Sequence, residues 1–122
     1  MANKSKDKGS RFEREIVKIC KFWEIKAQRC WGSDGRSMGF AKEVDVVIDD
    51  DYKIQAKVRK KIANWISPTK DVDAQIVKED RGQIYIIMPF EDWLADRKIL
   101  KERNPKGWSH LNAEIDRRKL NE

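Results

Sequence analysis

The chain has 122 residues, 39% of them charged, with a formal net charge of +6 and a sequence pI near 9.4. That length suits one domain able to bury about two thirds of its unfolded surface, and 5 tryptophans with recurrent Ile/Val runs exclude a disordered polyelectrolyte. The longest apolar run, residues 84–90, is far below the roughly 20 residues that span a bilayer, so the basic charge points to a soluble polyanion, nucleic acid first.

Residues 1–9, MANKSKDKG, form a polar, lysine-rich lead expected to be mobile. From Ser10 onward Phe12, Ile16, Ile19, Cys20 and Trp23 recur at helical spacing against Arg14, Lys18 and Lys21, predicting an amphipathic helix of about four turns. Glu13 falls at the edge of the apolar stripe, about 100° round from Phe12. A short strand is predicted over 26–30. WGSDGRSMGFAK, residues 31–42, follows and reads as a long flexible loop through Gly32, Gly35 and Gly39. After a hairpin over 43–59, the composition predicts a helix over 69–80 and a buried strand over 83–88, ended by Pro89. An amphipathic helix over 91–103 comes next, and Ser109 can N-cap a last short one to about residue 119. Trp23 and Trp93 lie within helical apolar patterns and are assigned to the core.

The order α-β-β-β-α-β followed by helices predicts an α/β fold, a mixed sheet flanked by helices, as one domain over 1–122 with 104–122 as a C-terminal extension. Cys20 and Cys30 lack CxxC spacing, and His110 is the single histidine, so a zinc site is not expected. With no stretch that reads as a signal peptide, the expectation is reduced thiols in a cytoplasmic protein and no membrane partner.

The hairpin EVDVVIDDDYKIQAKVRKK carries the chemistry. Val44, Val46 and Ile48 share one face, and Glu43, Asp45, Val47 and Asp49 the other. An even loop would set apolar against polar side chains throughout. A loop of residues 50–52 pairs Ile48 with Ile54, Val46 with Ala56, Val47 with Gln55 and Asp45 with Lys57. One face then becomes apolar and the other collects Asp45, Gln55 and Lys57.

An acid, a second oxygen donor and a lysine beside a helix-borne glutamate form a device for phosphodiester chemistry. Carboxylate and carbonyl oxygens suit Mg²⁺, which polarises the phosphate and lowers the pKa of bound water, while a lysine orients or deprotonates that water. GSRFEREI at residues 9–16, Arg29 after a short strand, VDVV around Asp45 and QAK at 55–57 resemble the archaeal-type Holliday-junction resolvases of the PD-(D/E)xK nuclease superfamily. IVKEDR followed by YIIMP resembles the second half of phage-encoded relatives.

The resemblance implies a restriction-endonuclease-like fold and a Mg²⁺-dependent homodimer, with Mn²⁺ as substitute, that cuts branched or four-way DNA. Glu13 and Asp45 would be metal ligands, Gln55 and the Ala56 carbonyl would complete the oxygen set, and Lys57 would be the catalytic lysine. Arg14 and Arg29 would serve the scissile phosphate or the junction backbone. In the family an acid stands where Gln55 is, and the stretch from Arg29 to Asp45 is shorter.

Each residue also has a plainer reading. Ser10-x-x-Glu13 is a capping box, and Asp45 opposite Lys57 is an ordinary cross-strand ion pair worth roughly 0.2–1 kcal/mol. Arg59, Lys60 and Lys61 are either phosphate contacts or a solvated edge. Trp31, with Arg36 in the same loop, either meets DNA or caps the core. The functional alternatives are a catalytically weakened DNA-binding module of the same fold and a general phage-type DNA endonuclease. An RNA-binding role lacks an aromatic platform motif.

Overall fold

The computed structural model describes residues 4–50 and 52–103. In chain order these form α1 (Lys4–Phe22), β1 (Ala27–Arg29), two 3-10 turns (Trp31–Ser33 and Gly35–Met38), β2 (Val46–Ile48), β3 (Tyr52–Ile54), β4 (Gln75–Lys78), β5 (Ile84–Ile87) and α2 (Phe90–Arg103). The molecule is mixed α and β, with an antiparallel sheet in the order β1-β2-β3 and a separate antiparallel pair, β4-β5.

α1 begins at Lys4 rather than Ser10, so residues 4–9 of the expected lead are helical. It ends in a Schellman arrangement. Glu24 takes a left-handed φ of 57°, its N–H donates to the Lys21 carbonyl at 2.9 Å, and the Ile25 N–H reaches back to the Cys20 carbonyl at 2.9 Å. Ile25 and Cys20 are both buried in the core, which supplies the hydrophobic contact that accompanies this motif.

The main core gathers Ile16 and Cys20 of α1, Ile25, Val46 and Ile48 of β2, and Leu94 of α2, with Trp23 and Trp93 packed against it as expected. Fully burying a side chain such as Ile48 or Leu94 is worth about 1.5–3 kcal/mol. The opposite face of β2 carries a smaller cluster in which Val47, Cys30 and Val44 meet Met38 and Phe40. All of β2 is therefore buried, and the glycine-containing segment that was expected to be a long flexible loop covers its second face. Gly35 anchors that cover, because a Cβ there would collide with the Ala41 carbonyl oxygen and lie 2.7 Å from Val44 Cβ.

The hairpin register differs from expectation by two residues. Val46 pairs with Ile54, Val47 with Lys53 and Ile48 with Tyr52. The parity of the connection is kept, so the faces still segregate. The shift has a tertiary cause: Tyr52 is drawn into β3 by Trp93, with ring centroids 5.2 Å apart, and by the Arg97 guanidinium 4.7 Å from its ring centroid. Asp49 and Asp50 absorb the tighter turn with φ of 57° and 68°, a region aspartate tolerates better than most residues.

The helix expected over 69–80 is not formed; Gln75–Lys78 is strand β4. Its residues pair with β5, Ile76 opposite Ile86 and Val77 opposite Tyr85, so cross-strand contacts override the helical composition. The α-β-β-β-α-β order and the single mixed sheet are corrected accordingly. β5 was expected to be buried, yet Ile84, Tyr85 and Ile86 are all exposed on a strand pair separate from the first sheet. The last predicted helix, with Ser109 and His110, lies outside the described residues.

Candidate functional site

Three elements converge where β1 and β3 flank the entry to β2. α1 supplies Glu13, which is only 4% exposed. Ser10 lies inside α1, several residues past its start, so the capping-box reading of Glu13 does not hold. One partner comes from the sheet. Arg29, at the end of β1, donates from Nε to Glu13 Oε1 at 3.2 Å. A buried carboxylate needs such compensation, since desolvating it alone is costly.

Asp45 is tied into the sheet from both sides. Its carbonyl accepts from the Cys30 N–H at 2.8 Å, and its N–H donates to the Ile54 carbonyl at 2.9 Å. Beyond Ile54 the ladder ends and the side chain takes over: Asp45 Oδ2 accepts the Ala56 N–H at 2.8 Å. Asp45 therefore sits beside Gln55 and Ala56, not directly across from Lys57 as the expected register had it. This hydrogen bond replaces the cross-strand ion-pair reading.

The electrostatics join these residues into one cluster. Burial pushes the Asp45 carboxyl up, the Ala56 N–H opposes that, the charge of Glu13 adds to the rise and Lys57 lowers it. Beneath them Cys30 is raised first by burial and then by the charges of Asp45, Glu13 and Asp34. Negative potential is thus concentrated between α1 and the start of β2. Gln55 and Lys57 are exposed, while Ala56 is half-buried. All three line a groove of about 650 Å³ running between α1, β3, β5 and α2.

The other candidates lie further out. Arg14 is exposed on α1. Arg36 is committed to its own loop: its backbone N–H donates to Asp34 Oδ1 at 3.0 Å and its guanidinium grips the same carboxylate, with Nη2 2.5 Å from Oδ2. Hydrogen bonds from the Arg36 side chain and backbone hold the Asp34 carboxyl down to about 2. The Asp34-x-Arg36 spacing, an aspartate followed two residues later by the N–H it binds, was the available signal for that clamp. Trp31 is 84% exposed and does not cap the core. Glu43 stands on an exposed turn before β2.

Arg59, Lys60 and Lys61 are exposed, separated from Lys57 by Val58. If these side chains contact phosphate, their joint replacement by alanine flattens the salt dependence of any duplex binding, each lost contact removing about 0.9 from the log-log slope. Titrations across a salt series measure this, and an unchanged slope would make these residues a solvated edge.

Among the described residues no group of three or more His, Cys, Asp and Glu side chains is placed to hold a metal. A cation at this site would rest on two carboxylates, Glu13 and Asp45, with neutral oxygens from Gln55 and the Ala56 carbonyl. That donor set is hard and oxygen-only, which fits Mg²⁺ or Mn²⁺. The raised Asp45 carboxyl beside the Glu13 charge is the kind of strain a cation relieves. Among the described residues no helix is long and apolar enough to cross a membrane. Compared with protein-family models, curated proteins and solved structures, the chain matches none.

Proposed function

We propose that the protein is a divalent-metal-dependent DNA endonuclease of the PD-(D/E)xK type, acting on branched DNA such as a Holliday junction. The observation that carries this reading is the electrostatic coupling of Asp45 to Glu13, the Ala56 N–H and Lys57, with Gln55, Ala56 and Lys57 lining a groove. These residues come from separate stretches of the chain in the order the resemblance requires. The net charge of +6 supplies the attraction for a polyanion.

Glu13 and Asp45 would hold the cation, aided by Gln55 and the Ala56 carbonyl, and when bound it supplies Lewis-acid polarisation of the phosphate and a more acidic water. The protein's own part is positional. The Ala56 N–H fixes one Asp45 oxygen and leaves Oδ1 for other partners, and Arg29 holds the Glu13 carboxylate in place. Lys57, on the rim of the groove, orients the attacking water and offsets charge that builds up on the phosphate. Two strands must be cut to resolve a junction, which favours action as a homodimer.

Gln55 distinguishes an enzyme from a DNA-binding module that has lost its chemistry. Its amide oxygen is a neutral ligand where an acid would add charge. Gln55→Glu is therefore expected to lower the Mg²⁺ concentration for half-maximal cleavage. An inert parent whose Gln55→Glu variant cuts would make the protein a binding module.

A further inference from the structure

We infer that the cavity walled by Trp31 receives an unpaired DNA base, stacked on the indole, so that the preferred substrate carries a single-stranded nucleotide next to the cleaved phosphate. The inference rests on the nuclease reading and specifies its substrate.

Trp31 leaves 84% of its surface in solvent, as Phe22 does at 80%, so it is the setting of Trp31 rather than its exposure that marks it. The chain holds it there. Cys30, immediately before it, is fully buried with its N–H bonded to the Asp45 carbonyl at 2.8 Å. The Trp31 carbonyl accepts from the Asp34 N–H at 3.2 Å, and Gly32 turns the chain with a φ of 63°, a conformation that an L side chain rarely adopts. An exposed indole on a turn pinned to the same backbone that positions Asp45 is a presented surface rather than a stray one.

Beside it lies a cavity of about 610 Å³ lined by Gln28, Arg29, Trp31, Ser37 and Met38 among others, within the size range of small-molecule sites. Gln28 offers an amide donor and acceptor to a base edge. The Ser37 hydroxyl already donates to the Asp34 carbonyl at 3.1 Å, so it presents acceptor lone pairs. Arg29 both lines the cavity and holds Glu13, which places the cavity next to the acidic pair. Stacking uses the face common to all bases and requires a base outside a duplex stack. The signature is therefore tolerance of sequence and intolerance of pairing.

The test is equilibrium binding, in EDTA to prevent cleavage, of labelled oligo-dT, a flapped duplex, a blunt duplex and oligo-U by the wild type, Trp31→Ala and Trp31→Phe. Trp31→Ala is expected to weaken oligo-dT and flap binding by about 5- to 150-fold and to leave blunt duplex unchanged, with Trp31→Phe recovering most of the loss. Equal losses on all DNAs, or none, overturn the stacking site while leaving DNA recognition standing. A loss confined to oligo-U overturns the assignment to DNA, and failure of the wild type to bind any of the four overturns the stacking site, while the nuclease reading is decided separately by metal-dependent cleavage of a four-way junction.

Discussion

Asp45→Asn is expected to abolish cleavage, with a loss of about 10³-fold or more, while leaving DNA binding equal or tighter. Asparagine keeps the oxygen that accepts the Ala56 N–H at 2.8 Å, so the backbone arrangement survives. What disappears is the negative charge that would hold a cation, and with it some repulsion of phosphate. Stability should move in the opposite direction from activity. Burial and the Glu13 charge raise the Asp45 carboxyl above its ordinary range, so the folded state binds a proton more readily than the unfolded chain. The stability this contributes is complete below the ordinary carboxylate range and is lost as pH rises through the raised folded value. At neutral pH the ionised Asp45 is destabilising, and its neutral isostere should melt at an equal or higher temperature. Gel shift, cleavage and thermal melting on one preparation check all three outcomes. A variant that cuts at the parent rate places the chemistry elsewhere.

Lys57→Met should lower kcat by about 10² to 10⁴-fold with little change in KM, the range associated with a positioned proton-transfer or charge-stabilising group. Methionine retains an unbranched stem on the groove rim and deletes only the ammonium. Lys57 already acts electrostatically on Asp45, lowering its carboxyl, so its removal should also shift the acidic limb of the pH–rate profile upward. A simple loss of DNA affinity with kcat intact would assign Lys57 to phosphate binding instead. Single-turnover kinetics separate the two.

The strongest sequence signals were those set by local periodicity. The apolar face of α1 follows from spacing, and β1 and α2 fall within a few residues of expectation, apart from the early start of α1. α2 is a helix but not the amphipathic one expected, since it buries Arg97 beside Leu94 and leaves Ile99 and Leu100 exposed. The odd parity of the β2–β3 connection was legible because an even one would have mixed the faces. Its two-residue shift was not, since it depends on Tyr52 packing against Trp93 and Arg97, far away in sequence. Residues 69–80 misled for a related reason: Gln75–Lys78 has no strong strand signal until Ile84–Ile87 pairs with it. At the site, the Glu13 charge acts on Asp45, and only the resemblance, not the spacing, had put the two together. The Arg29–Glu13 bond was not anticipated, because a residue expected to face phosphate turned out to neutralise a buried acid. Cys30 beneath the acidic pair carried no motif at all.

The most direct measurement of the central claim is strand cleavage of four-way junction, flap, linear duplex and single strand by the purified protein across Mg²⁺ and Mn²⁺ titrations, with EDTA as control. Cutting of the branched substrates that requires the metal and is lost in Asp45→Asn is the predicted result. Absence of cleavage of every DNA by both the parent and Gln55→Glu, at every metal concentration, would contradict it.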